Sequence, residues 1–234
     1  MNEPPKPVPW SKLQPQMAWQ QGEHVTLVGP TGQGKTILMK ALLPPAPPRS
    51  SAVVIRTKAK DDSLDSLARR GYRVTEKWDP TPADRLILLA PKLVVPGDVA
   101  NQAVVVRQAL NSIFQQGSWT VGSDEARYIC QQLRCEDIMT LLWLQGRSLG
   151  ISMVAATQRP RWLPLEAFSQ ATHLFLWRNR DKYDTDRLAG LGTLPSAMIR
   201  ETIGTLPKFH CLYINTRDDY MAITKAPAPR AIAA

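Results

Sequence analysis

The chain is predicted to fold as an α/β domain around a largely parallel central sheet, and three observations predict it. Short apolar runs alternate with segments whose apolar residues recur every three or four positions along most of the 234 residues. Several runs are continuous, as in Leu86-Ile87-Leu88-Leu89 and Ile151–Ala156, which is how buried strands read. Third, the apolar Val25-Thr26-Leu27-Val28 meets a glycine-rich turn and then the apolar-rich stretch Ile37–Leu43. That sequence is strand, loop and helix.

The loop carries the full G-x-x-x-x-G-K-[ST] pattern at Gly29, Gly34, Lys35 and Thr36, with Pro30, Thr31, Gly32 and Gln33 between. Its backbone N–H groups can surround a phosphate, and the dipole of the following helix adds to the attraction. Lys35 would reach the outer phosphates and Thr36 would give its hydroxyl to Mg²⁺. The bland alternative is a flexible glycine loop, but the strand before it and the apolar helix after it favour a nucleoside triphosphate site.

Length and composition bound the rest. A chain of 234 residues, 44% hydrophobic, fits one large α/β domain with small extensions. No apolar run is long enough to span a membrane, and residues 1–20 carry prolines and polar groups where a signal peptide needs an apolar stretch. A cytoplasmic protein is expected. Cys130, Cys135 and Cys211 have no zinc-like spacing and read as reduced thiols. The net charge of +9 favours a polyanionic partner, although Lys and Arg are scattered rather than clustered.

Taken in order, residues 1–21 form a Pro-rich arm that reads as extended, with Trp10 and Trp19 as anchors. Strand one and its helix end at a proline cluster from Pro44. A strand is predicted over Ser51–Thr57, a helix over 63–70, a short strand over 72–74 and a strand within 84–89. Val99, Ala103, Val106, Leu110 and Ile113 place a helix over 98–116. Trp119–Glu125 reads as a strand closing on two carboxylates. A helical region follows over 126–148, broken near Cys135-Glu136-Asp137. Then come the strand Ile151–Ala156, a short helix over 163–170, a strand over 173–177 and a helix over 181–188. Residues 190–193 loosen the chain. A hairpin joins 208–215 to 220–224, and 226–234 is an Ala/Pro-rich flexible tail. The unit between arm and tail is thus 22–225.

A triphosphatase needs a carboxylate on the Mg²⁺ side, a group to activate water and a group to sense the γ-phosphate. Asp124 ends a strand far enough beyond Lys35 for a further strand to lie between the two, and is assigned to the metal. Glu125, next in chain, is assigned to water. Gly122 and Ser123 stand where aliphatic residues are usual before such a pair. Asp61-Asp62 is the rival pair, better read as helix-capping acids. Gln158 ends the next apolar strand, on the same predicted sheet edge as the phosphate loop, with Thr157 as its near alternative. Arg147, just before that strand, is compatible with reaching a neighbouring copy's γ-phosphate; Arg159, Arg178 and Arg180 compete with it.

Together, Gly29–Thr36, Asp124-Glu125 and the run Gly146-Arg147-Ser148-Leu149-Gly150-Ile151-Ser152-Met153-Val154-Ala155-Ala156-Thr157-Gln158-Arg159-Pro160 resemble the HerA/FtsK superfamily of DNA-pumping ATPases. The likeness spans roughly residues 22–190, and the short chain is similar to the viral genome-packaging members. The resemblance implies a RecA-like (ASCE) P-loop NTPase core, with an additional strand between the phosphate loop and the Asp-Glu strand. It implies a homo-oligomeric ring, usually of six copies, around double-stranded DNA, docking on a capsid portal or vertex. It implies ATP and Mg²⁺ as ligands, phosphate binding by Gly29–Thr36 with Lys35, metal coordination by Thr36 and Asp124, and water activation by Glu125. It also implies γ-phosphate sensing by Gln158 and a trans-acting Arg147. Lys58, Lys60, Arg178, Arg180 and Lys182 are loop-borne candidates for gripping DNA. Three other readings compete: a conjugation- or segregation-type motor, a small-molecule kinase, and a non-catalytic nucleotide-gated module.

Overall fold

Side chains along each central strand alternate between two apolar layers. Val53 and Ile55 enter one, Ala52 and Val54 the other; Leu174 and Leu176 enter the first, Phe175 and Trp177 the second. Both faces of the sheet are therefore covered, as the continuous apolar runs require. The computed structural model of the chain describes residues 4–44, 50–179, 181–190 and 195–227.

In chain order the elements are β1 (Lys6–Pro7), α1 (Trp10–Gln16), β2 (His24–Val28), α2 (Lys35–Leu42), β3 (Ser51–Ile55), α3 (Asp62–Asp65), β4 (Arg73–Thr75), β5 (Leu86–Leu89) and α4 (Asp98–Gln116). They continue with β6 (Trp119–Ser123), α5 (Ala126–Gln131), α6 (Glu136–Gln145), β7 (Ser152–Thr157), α7 (Glu166–Ser169), β8 (Ala171–Trp177), α8 (Lys182–Ala189), α9 (Ser196–Thr205), β9 (His210–Asn215) and β10 (Tyr220–Lys225). Among the described residues the strands form one ten-stranded sheet, ordered β1-β10-β9-β8-β2-β7-β6-β3-β5-β4. The pairs from β8 across to β4 are parallel. The C-terminal hairpin β9–β10 joins antiparallel at β8. Helix α2 packs on one face with α1, and α4 to α9 cover the other.

The additional strand is present: β7 lies between β2, which leads into the phosphate loop, and β6, which leads into Asp124. Parallel pairing of β8, β2, β7, β6 and β3 brings their C-terminal ends to one edge. The unusual Gly122 has a steric reason. A Cβ there would lie 3.2 Å from Val54 Cγ2 and 3.3 Å from Leu43 Cδ2, so β6 runs close beneath the end of α2.

The N-terminal residues differ from the extended arm expected. Residues 10–16 are helical, Leu13 is buried, and the Trp10 ring sits 6.2 Å from that of Phe175. β1 adds a parallel edge strand to β10, and Trp19 Nε1 donates to the Glu23 carbonyl at 3.0 Å. Tertiary burial of Trp10 and Leu13 outweighs the local proline signal. Helix α9 was not anticipated. The tail beyond residue 227 and the loosened residues 191–193 lie outside the described residues.

Candidate active site

The phosphate loop leaves β2 at Gly29, whose N–H continues the ladder by donating to the Thr157 carbonyl at 3.1 Å. A Cβ at Gly29 would fall 2.5 Å from Trp177 Cβ, so only glycine lets the loop pass β8. Gly32 and Gly34 take φ of 75° and 99°, the left-handed region that favours glycine. Gly34 is also the N-cap of α2, so the unpaired N–H groups of that helix face the loop.

Lys35 is only 7% exposed, and its Nζ donates to the Pro30 carbonyl at 2.9 Å. Burial lowers its pKa below the ordinary lysine value, against the pull of the Asp124 and Glu125 carboxylates. The ammonium is held in the loop, and among the described residues no carboxylate pairs with it. Thr36 Oγ1 donates to Asp124 Oδ1 at 2.6 Å, which joins the first residue pair predicted for the metal. These are hard oxygen donors from one hydroxyl and one carboxylate. They fit Mg²⁺, which is usually held by one or two carboxylates completed by water and substrate phosphate. Among the described residues no cluster of three or more His, Cys, Asp or Glu offers a rival metal site.

Glu125 follows Asp124 as the N-cap of α5 rather than as part of β6. Gln158, one residue past β7, bridges to it: Gln158 Nε2 donates to Glu125 Oε2 at 3.1 Å, and its Oε1 accepts from Thr31 Oγ1 at 2.8 Å. Burial raises the Glu125 pKa above the ordinary carboxylate value, while the Gln158 hydrogen bond acts the other way. The loop, the two acids and Gln158 are therefore one hydrogen-bonded set at one sheet edge. Thr157, the alternative to Gln158, is buried and turned into its own bend, its Oγ1 3.4 Å from the Arg159 carbonyl. Asp61 caps α3 by accepting from the Leu64 N–H at 3.1 Å, as a capping acid should. Exposed Asp62 lies 3.6 Å from Lys60.

Arg147 sits at the opposite edge, in the turn between α6 and the start of β7. It is exposed, its carbonyl accepts from the Gly150 N–H at 3.2 Å, and its guanidinium forms no hydrogen bond or ion pair among the described residues. The length of β2 separates it from the chain's own phosphate loop. Its competitor Arg159 is engaged with Asp181 at 2.9 Å and Asp184 at 3.4 Å. Arg178 lines a second cavity of about 860 Å³ that shares Thr31 and Gln158 with the cleft at the phosphate loop. Arg180 lies outside the described residues.

Two residues of the cleft escaped the sequence reading. Lys58, taken there for a DNA-gripping loop residue, has its Nζ 3.2 Å from Asp124 Oδ2 and 3.4 Å from Asp61 Oδ2. Burial opposes its charge, but the Asp124 and Asp61 carboxylates together outweigh this and raise its pKa. The signal was the strand order: β3 pairs with β6, Ile55 beside Ser123, so residues shortly after each strand become neighbours. The other is Phe209, which lines the cleft of about 260 Å³ with Gly34, Lys35, Thr36 and Asp124.

No protein-family model matches the chain. It is 27% identical over 218 residues to the DNA packaging ATPase P9 of Enterobacteria phage PRD1, covering 91% of each sequence. Among solved structures, B204, the DNA-packaging ATPase from Sulfolobus turreted icosahedral virus, matches with a TM-score of 0.65 at 17% identity, over 90% of this chain and 100% of that one. The genome packaging NTPase B204 from Sulfolobus turreted icosahedral virus 2, in complex with AMPPCP, matches with a TM-score of 0.58 at 16% identity, over 89% and 100%. At these identities the structural likeness carries the fold.

Proposed function

We propose, from the premise that the chain is a P-loop ATPase of the HerA/FtsK type resembling the short viral genome-packaging ATPases, that it hydrolyses ATP to move double-stranded DNA into a preformed capsid. The observation that carries the reading is the chain of contacts Thr31–Gln158–Glu125, which ties the phosphate loop to the carboxylate that would activate water.

Each residue then has a role. Gly29, Pro30, Thr31, Gly32, Gln33 and Gly34 shape the loop whose N–H groups hold the β- and γ-phosphates, and Lys35 neutralises them. Thr36 and Asp124 would hold Mg²⁺, which supplies charge stabilisation at the phosphate oxygens when bound. Glu125 accepts the proton of the attacking water, and its raised pKa suits a base better than an ordinary carboxylate. Gln158 fixes the base and reports the γ-phosphate to Thr31. This layout favours water over an acceptor alcohol as nucleophile, which counts against a kinase.

Arg147 cannot serve its own nucleotide from the far edge, so its role as a γ-phosphate ligand requires a second copy. That supports a homo-oligomeric ring in which each interface completes a site. Basic residues moving with the subunits would drag the DNA backbone through phosphate contacts, independent of sequence. The net charge of +9 fits that partner. Docking on a capsid portal or vertex in the host cytoplasm completes the reading. Among the described residues no helix is long and apolar enough to cross a membrane. We divide the chain into an arm (1–21), a motor (22–225) and a tail (226–234).

Mixing two inactive variants tests the shared site. Lys35→Ala and Arg147→Ala should each abolish DNA-stimulated hydrolysis, and mixed rings should regain part of it. A mixture as inactive as its parents removes Arg147 from the mechanism.

A further inference from the structure

Phe209 is placed against its own interests. It precedes β9, the residue is 39% exposed, and its φ is 66°, a left-handed backbone that bulky L-residues rarely adopt. Two bonds hold it there. The Phe209 N–H donates to Gln33 Oε1 of the phosphate loop at 3.2 Å. The Phe209 carbonyl accepts from the Ala226 N–H at 3.1 Å, and Ala226 itself abuts Gly34, where a Cβ would lie 3.0 Å from Ala226 Cβ. The C-terminal hairpin is thus pinned to the phosphate loop at both of its ends, with Phe209 at the junction.

Among the described residues the ring has no aromatic partner, and the Lys208 ammonium lies 4.9 Å from its centroid. It lines the cleft together with Gly34, Lys35, Thr36 and Ile37. Thr31, Gln158 and Asp124 line the same cleft, and Gln158 marks the side of the reacting phosphate through its bonds to Thr31 and Glu125. A nucleotide with its phosphates in the loop leaves its base to another part of the cleft, and among the described lining residues Phe209 is the aromatic one. An exposed, backbone-clamped aromatic face is what a flat apolar base needs, because the ring need not be ordered on binding.

We infer that Phe209 is the stacking platform for the nucleobase, held in register with the phosphate loop by Gln33 and Ala226. The inference rests on the nucleotide-site reading above and adds the base subsite to it. Stacking reads the face of a base, not its edge, so the platform accepts either purine. It also couples the hairpin to nucleotide occupancy, because a stacked base bears on the segment that carries β9.

Calorimetric titration of the full chain with ADP and, separately, with inorganic tripolyphosphate tests this. Phe209→Ala should weaken ADP by about tenfold or more and leave tripolyphosphate unchanged, while Phe209→Trp should retain ADP. Equal weakening of both ligands means a distorted loop, and an unchanged ADP affinity means no stacking; either overturns the inference. Wild-type chain that binds neither ligand overturns the phosphate-site reading and the inference with it. Binding of tripolyphosphate alone by the wild type overturns only the base platform.

Discussion

Acid should destabilise this chain through His24 before its carboxylates titrate. His24 opens β2, is 2% exposed, and uses both ring nitrogens: Nε2–H donates to the Trp143 carbonyl at 3.0 Å, and Nδ1 accepts from the Met153 N–H at 3.1 Å. That pattern fits only the neutral ring. Burial, with a contribution from the nearby Arg147 charge, pushes the pKa down to about 4 from 6.5, against the raising effect of the Trp143 bond. The unfolded chain therefore takes up a proton at His24 near pH 6.5, while the folded chain resists until about pH 4. The folded state loses nothing above that window and is penalised within it, by roughly 3 kcal/mol when both steps are passed. By pH 5 the loss relative to pH 8 is about 2 kcal/mol. His24→Gln removes the titration. It should be weaker than wild type at pH 8 by about 1–3 kcal/mol, because one of two buried partners is left unpaired. Urea unfolding followed by tryptophan fluorescence at pH 8, 6 and 5 reads the difference. The two stability curves should converge as pH falls, by about 2 kcal/mol at pH 5. Parallel curves would refute the reasoning. Protonation breaks the Nδ1 bond to the Met153 N–H and keeps the Nε2–H bond to the Trp143 carbonyl, so the strain falls on the start of β7.

Two further substitutions probe the site directly. Gly29→Ala sets a methyl 2.5 Å from Trp177 Cβ, a backbone-anchored atom that cannot swing away; urea unfolding should show a loss of about 1–3 kcal/mol with weakened ADP binding, and wild-type behaviour in both would contradict the geometry. Glu125→Gln should reduce ATP turnover by about 10²–10⁴-fold while retaining nucleotide. Because burial raises the Glu125 pKa, its ionised form costs stability at neutral pH, so the variant should resist urea better at pH 7.5, and that advantage should fade as pH falls through the carboxylate range. A variant with full turnover, or one weaker than wild type at pH 7.5, would count against Glu125 as a buried base.

Much of the sheet was legible because burial on both faces writes continuous apolar runs. Leu86–Leu89 and the helix over 98–116 have the predicted bounds, and the break between α5 and α6 falls where Cys135-Glu136-Asp137 predicted it. The hairpin pairs over Thr216–Asp219 as expected, with Tyr220 opposite Asn215. Helix α1 was not legible, because Pro9 and Pro15 mask a segment whose stability comes from Trp10 against Phe175. Helix α9 was missed because it buries only Ile199 and Ile203, too few positions to declare a period; its register is fixed by packing and by Arg200 against Asp186 at 2.7 Å. In the site, strand ends located Asp124, Glu125 and Gln158. Lys58 needed strand order as well as strand ends. Phe209 needed a backbone angle, which no residue pattern encodes.

The central claim is a DNA motor whose sites are completed between copies. Steady-state ATP hydrolysis by the purified chain, measured across protein concentration with and without long double-stranded DNA, tests it most directly. The account predicts strong stimulation by DNA and activity that rises more steeply than protein concentration. Activity proportional to protein and indifferent to DNA would contradict it.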